Sequence, residues 1–117
     1  MKIDLPVRER GECCALPIPV DSSRIDATVA VLKAMADPVR MGMLAALARA
    51  EQPICVCDFT AVFALSQPTI SHHIGKLRDA GLVDVSRIGI WAHYTLRPAL
   101  AGDVRRLVAA ATRAATG

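Results

Sequence analysis

The sequence predicts a mainly α-helical domain carrying one β-hairpin. Three observations predict it. Apolar residues recur at helical spacing through five segments of the chain. Residues 82–96 break that rhythm and alternate in the manner of paired strands. Helix-start signals, Asp37-Pro38 and Ser66 among them, separate the helical segments.

The elements follow in order. Residues 1–20 hold Pro6, Gly11, Pro17 and Pro19, and read as an irregular, flexible arm. Residues 21–117 read as the folded domain. Asp21, Ser22 and Ser23 offer N-caps to a first helix, whose stripe is Ile25, Val29, Leu32 and Ala36. Asp37 caps a second helix, with Pro38 at the first helical position, where a missing N–H is harmless. Val39, Met43, Leu44 and Leu47 form its inner face, and Glu51-Gln52-Pro53 ends it. A short helix follows over 56–64, with Phe59, Val62 and Phe63 inward. Leu65-Ser66 turns the chain into a fourth helix, which runs to about Ala80 with Ile70, Ile74 and Leu77 inside, and Gly81 stops it. Residues 82–87 and 90–96 pair around Ile88-Gly89. Pro98 opens a last helix bearing Leu100, Val104, Leu107, Val108 and Ala111 on one side. Two helices, a helix-turn-helix, a hairpin and a closing helix describe a winged helix-turn-helix domain. The amphipathic first and last helices are left over to form a dimer interface.

Composition bounds the function. The chain has 117 residues, enough for one domain. Hydrophobic residues make up 53% and aromatics 3%, so the core is aliphatic. Much apolar surface remains for so short a chain, and a second copy is one way to cover it. No apolar run of about 18 residues is present, so no membrane helix is expected. The first residues, Met1 to Pro6, lack the apolar stretch of a secretory signal, which points to the cytoplasm. The net charge of +3 is compatible with nucleic acid and proves nothing. Between residues 58 and 87, Lys76, Arg78 and Arg87 are cancelled by Asp58, Asp79 and Asp84. The case for DNA rests on geometry.

The second helix of a helix-turn-helix enters the major groove of double-stranded DNA, led by its N-terminal residues. Here it carries Gln67, Thr69, Ser71, His72 and Lys76. At about 100° per residue, with Ile70 inward, His72 points away from the core and Lys76 and Thr69 flank it. His73 falls at the edge of the core and reads as a packing or phosphate contact. Adjacent histidines on a helix diverge by about 100° and cannot hold one ion together. Short polar side chains and a histidine suit base edges and phosphates.

Four cysteines lie in two tight pairs, Cys13-Cys14 in the arm and Cys55-Val56-Cys57 where the third helix starts. In a reducing compartment such pairs read as metal-binding or redox-active. Thiolates favour soft or borderline ions: As(III), Cd(II), Pb(II), Zn(II) or Cu(I). A helix start favours thiolate through its dipole and free N–H groups. In a regular helix Cys55 and Cys57 would point about 200° apart, so joint chelation requires an unwound first turn, for which Pro53 provides. The six residues Ala15 to Val20 span up to about 20 Å, long enough for the arm to meet Cys55 in its own subunit or in a partner. The competing reading is that small apolar cysteines pack, which suits Cys57 better than a pair in a polar, proline-rich arm.

Three blocks resemble the ArsR/SmtB metalloregulators. Residues 32–40, Leu-Lys-Ala-Met-Ala-Asp-Pro-Val-Arg, resemble their second-helix signature. Residues 54–59, Ile-Cys-Val-Cys-Asp-Phe, resemble their metal box, and residues 65–73, Leu-Ser-Gln-Pro-Thr-Ile-Ser-His-His, their recognition helix. Glu12-Cys13-Cys14 resembles the N-terminal pair of an arsenic-responsive branch. The resemblance implies a homodimeric repressor that leaves its operator when metal binds. Thr60 stands where one branch carries a third box cysteine, so the third sulfur falls to Cys13 or Cys14. A branch sensing Zn(II) uses Asp and His on the last helix, and this chain has Asp103 there without a His. A Cd(II)/Pb(II)-sensing branch, using N-terminal plus box cysteines, remains a competitor. Ile90 replaces the Arg of many relatives in the wing, leaving phosphate contact there to Arg87.

The expected function is therefore a metal(loid)-responsive repressor with As(III) as inducer, bound by Cys13, Cys14, Cys55 and Cys57. The alternatives are a Cd(II)/Pb(II) repressor of the same fold and a thiol-based redox repressor. An enzyme is not expected: no Cys-x-x-Cys is present, and neither pair precedes the Arg-bearing loop of an arsenate-reducing phosphatase-like site.

Overall fold

A computed structural model describes residues 17–116. The order is α1 (Ser22–Met35), α2 (Pro38–Arg49), β1 (Ile54–Cys55), α3 (Val56–Phe63), α4 (Gln67–Asp79), β2 (Val83–Ile88), β3 (Trp91–Leu96) and α5 (Gly102–Thr116). This is a winged helix-turn-helix. The arm bearing Cys13 and Cys14 lies outside the described residues.

The helix starts form as their chemistry dictates. The Asp21 carboxylate accepts from Arg24 N–H, Asp37 from Arg40 N–H and Ser66 Oγ from Thr69 N–H. Pro38 lies in the first turn of α2 and Pro68 in the first turn of α4, where neither removes a needed donor. Gly81 closes α4 at φ +79°, a left-handed conformation glycine adopts freely. The turn between α3 and α4 is less relaxed. Ala64 sits there at φ +52°, in the region a Cβ disfavours.

Met43, Leu44, Phe59, Ile70, Ile74, Leu77, Leu82 and Val83 are fully buried and join α2, α3, α4 and the sheet into one core. Three expectations need correction. Val62 is 75% exposed, because Phe59 and Val56 already fill the inner face of so short a helix. The stripe Ile25, Val29 and Leu32, left over in the sequence reading for a second copy, is exposed within this subunit. Only the last turns of α1 reach the core, through Val31, Ala34 and Met35. The last helix starts at Gly102 instead of Pro98, and Arg105 N–H bonds back to Ala101. Finally, the sheet has three strands in the order β1-β3-β2. The unexpected strand β1 is two residues long and pairs Ile54 with Tyr94 and Cys55 with His93.

α1 and α5 leave a groove of about 460 Å³ between them, walled in part by Ala27, Ala30, Leu100, Val104 and Leu107. No helix of the described residues is long and apolar enough to cross a membrane.

Candidate nucleic-acid interface and thiol pair

α4 stands on the core through Ile70, Ile74 and Leu77 and presents its remaining faces outward. Gln67, Ser71, His72 and Lys76 are exposed. Thr69 is half-buried, its hydroxyl 2.9 Å from that of Ser66, which ties it to the helix start. Gln67 and Ser71 share a cleft of about 330 Å³ with Arg87, Ile90 and Trp91 of the wing. Lys76 lies on the opposite flank, in a groove it shares with Lys33 of α1 and Arg40 of α2. The predicted contacts thus divide between two edges of one helix, with His72 outermost.

His73 packs, as one of its two readings expected. Arg40 Nη1 lies 3.2 Å from His73 Nδ1, and Arg40 Nε donates to the carbonyl of Ala34 at 2.6 Å. Asp37 Oδ2 lies 3.7 Å from the same Nδ1. Arginine has only donors, so Nδ1 accepts from Arg40 and the ring proton sits on Nε2. The shorter contact decides the tautomer, and Asp37 serves α2 as its cap. Arg40 therefore joins the end of α1, the start of α2 and the flank of α4.

The structure also alters the charge tally. Asp84 is held by Arg97 at 3.0 Å, and Asp58 accepts from Cys55 N–H at 3.2 Å. One of the three acids that cancel the basic residues, Asp84, is thus neutralised by a cation outside the reader. Lys33, absent from the expected contacts, adds a cation beside Lys76. No local signal marks it, because tertiary packing of α1 against α4 brings it there.

Cys55 occupies the N-cap of α3 with extended backbone (φ −71°, ψ 146°), and Cys57 lies in the first turn. The extended cap replaces the 200° divergence of a regular helix. The two sulfurs approach to 2.8 Å. Cys55 is 9% exposed, whereas Cys57 is open to solvent. The expected stabilisation of thiolate by the helix start does not hold for Cys57. Its pKa is raised, first by its hydrogen bond to the Cys55 thiol, then by desolvation and by the negative charges of Cys55 and Asp58. Two thiols facing each other share a proton more readily than they separate two charges. Among the described residues no group of three or more His, Cys, Asp or Glu side chains is placed to hold a metal. Cys55 and Cys57 bring two sulfurs together at the start of α3.

Residues 37–85 match the family described as "Bacterial regulatory protein, arsR family". The chain is 33% identical over 85 residues to the arsenical resistance operon repressor of Escherichia coli, covering 73% of this chain and 72% of that protein. It is 44% identical over 68 residues to the arsenic resistance transcriptional regulator ArsR1 of Pseudomonas putida, covering 58% of this chain and about half (52%) of that one. Among solved structures it is similar to the homodimeric winged helix-turn-helix DNA-binding domain of Mb0332 from Mycobacterium bovis. The TM-score is 0.67 at 26% identity, over 81% of this chain and 83% of that one.

Proposed function

This chain belongs to the ArsR family of bacterial regulatory proteins, and from that premise we propose that it is a homodimeric repressor released from its operator by trivalent arsenic. The carrying observation is the approach of Cys55 and Cys57 to 2.8 Å at the start of α3, the first helix of the DNA reader. The names of the E. coli and P. putida relatives support the arsenical reading. The open stripe of α1 and the groove beside α5 support a second copy, as does the homodimeric relative. Metal binding is assigned to Cys55 and Cys57 with Cys13 or Cys14, and DNA contact to Gln67, Thr69, Ser71, His72, Lys76 and Arg87.

Arsenic differs from Cd(II) and Pb(II) in what becomes of the thiol protons. Arsenous acid, As(OH)₃, exchanges three hydroxyls for three sulfurs, and each thiol proton leaves within a water molecule. No thiol needs to ionise into bulk solvent and no electron changes hands. A divalent cation must instead expel free protons, so its binding weakens on acidification where that of arsenous acid does not. Drawing the arm onto Cys55 also loads the sheet. Cys55 lies in β1, and β1 pairs with β3, one strand of the wing. A ligand held at Cys55 therefore acts on α3 and on the wing together. A hundredfold loss of operator affinity needs about 2.7 kcal/mol of coupling, well within three arsenic–sulfur bonds.

The test is operator release followed by fluorescence anisotropy under reducing conditions. Wild-type protein should release at about one arsenite per subunit. Cys55→Ser should bind the operator as well and fail to release. Normal release by that variant would exclude Cys55 as an essential ligand. The closeness of the two sulfurs also suits the redox reading. Peroxide in place of arsenite separates it, because oxidation removes protons from the mass and adds no arsenic.

A further inference from the structure

The wing ends in apolar side chains. Ile88 is 60% exposed, Ile90 82% and Trp91 46%, around Gly89 at φ +63°. Nothing within the described fold covers them. An apolar tip on a hairpin is a liability in water and calls for an occupant.

Its surroundings identify that occupant. The tip is continuous with the DNA-reading face: Ile90 and Trp91 wall the same cleft as Gln67 and Ser71 of α4. Arg87 lines this cleft too, one ladder pair below the tip, where it pairs with Ala92 and Ile88 pairs with Trp91. With α4 in the major groove, a guanidinium at that level meets the phosphate ridge. Two residues further, about 7 Å along the strand, the tip passes the ridge. The surface beyond is the minor groove, about 6 Å wide, walled by deoxyribose C–H groups. A cation would be drawn to its potential. Isoleucine and tryptophan instead suit its apolar walls, and apolar side chains of this size can wedge a base step open.

We propose that Ile88, Ile90 and Trp91 form an apolar wedge that enters the operator minor groove beside the recognition helix. The wedge adds affinity that does not depend on salt and favours operators with easily unstacked pyrimidine–purine steps under the wing. This rests on the DNA-binding reading of α4, which a His72→Ala control tests by itself.

Trp91 is the only tryptophan of the chain, so its emission reports the tip alone. The probe is a duplex selected by the unaltered protein from a random pool, titrated into the 117-residue chain. Trp91 emission should shift to the blue and be quenched with the same midpoint as anisotropy. Ile90→Ser and Trp91→Ala should each lose about tenfold in affinity with an unchanged slope of log K against log salt. Arg87→Ala should reduce that slope by about one. All three positions are exposed, and circular dichroism confirms that each variant is folded. Affinities within twofold of the parent, with Trp91 emission unmoved by duplex, would overturn the wedge. So would an emission change that follows protein concentration or anionic lipid vesicles instead of DNA. Loss of binding in His72→Ala supports the reading of α4 and is independent of the wing variants.

Discussion

Replacing Arg40 by Ala should loosen the DNA reader without altering the thiol pair. Arg40 donates 2.6 Å to the carbonyl of Ala34 near the end of α1 and 3.2 Å to His73 on α4. Truncation leaves a helix-terminal carbonyl and a half-buried imidazole nitrogen without that donor. A hydrogen bond from a charged donor contributes roughly 1.5–3 kcal/mol when shielded. The site is partly open, which reduces each to about 1 kcal/mol. The expected loss is therefore about 2 kcal/mol. For a domain of this size that lowers the melting temperature by about 8 °C. Arg40→Lys should recover little, since a single ammonium cannot span both acceptors. Urea unfolding followed by circular dichroism gives the stability, and anisotropy on the selected duplex gives the DNA affinity. Both should fall together, because the same side chain sets the pose of α4. A loss under about 0.5 kcal/mol, within the range of ordinary surface substitutions, or full stability loss with unchanged DNA affinity, would refute the coupling role of Arg40.

Other outcomes follow from the same geometry. Cd(II) affinity should rise steeply with pH below the thiol pKa, up to about tenfold per unit for each proton expelled, while arsenite affinity stays nearly flat. Competition against a metal indicator at several pH values measures both. Lys33→Ala should weaken binding to all duplexes alike and reduce the salt slope by about one, as read by anisotropy across a salt series. Ala64→Gly should stabilise the protein by roughly 0.5–1 kcal/mol in urea unfolding, because glycine removes the Cβ conflict at φ +52°. The carboxyl of Asp21 is held low first by the Ser23 hydroxyl, and that of Asp37 first by Arg40 N–H. Their contribution is complete above the ordinary carboxylate range and lost as pH falls through the lowered values. Urea midpoints should therefore drop on acidification, and less so in a variant with both caps replaced by Asn.

The elements with local causes were legible in the sequence. Capping residues at 21, 37 and 66 and the stripe Ile70-Ile74-Leu77 act within a few residues, and each falls where its chemistry puts it. Long-range partners were not legible. Strand β1 exists only because Tyr94 and His93 lie opposite Ile54 and Cys55, some 40 residues away. The same applies to Lys33, brought beside Lys76 by tertiary packing. The α1 stripe was legible as a face but not as a contact. Periodicity marks a face that must be covered without saying by what, and Ile25, Val29 and Leu32 are not covered within this subunit. For Cys55 and Cys57, spacing alone shows that an unwound turn is required. Their mutual effect on each other's protons depends on a sulfur–sulfur distance that spacing does not give.

The unequal exposure of the two box thiols sets an order of encounter. Cys57 faces solvent while Cys55 is 9% exposed. An incoming thiophile meets Cys57 first, in a bimolecular step whose speed scales with its concentration. Cys55 then competes for the same atom from 2.8 Å away, where its effective concentration far exceeds that of any free cellular thiol. Monofunctional reagents stop after the first step and leave Cys55 untouched. Only an agent with at least two exchangeable positions proceeds to the buried sulfur, and through it to β1. The recess of a single side chain thus sorts reagents by valency: a simple alkylator ends at Cys57, whereas an agent that can be displaced a second time carries on to Cys55.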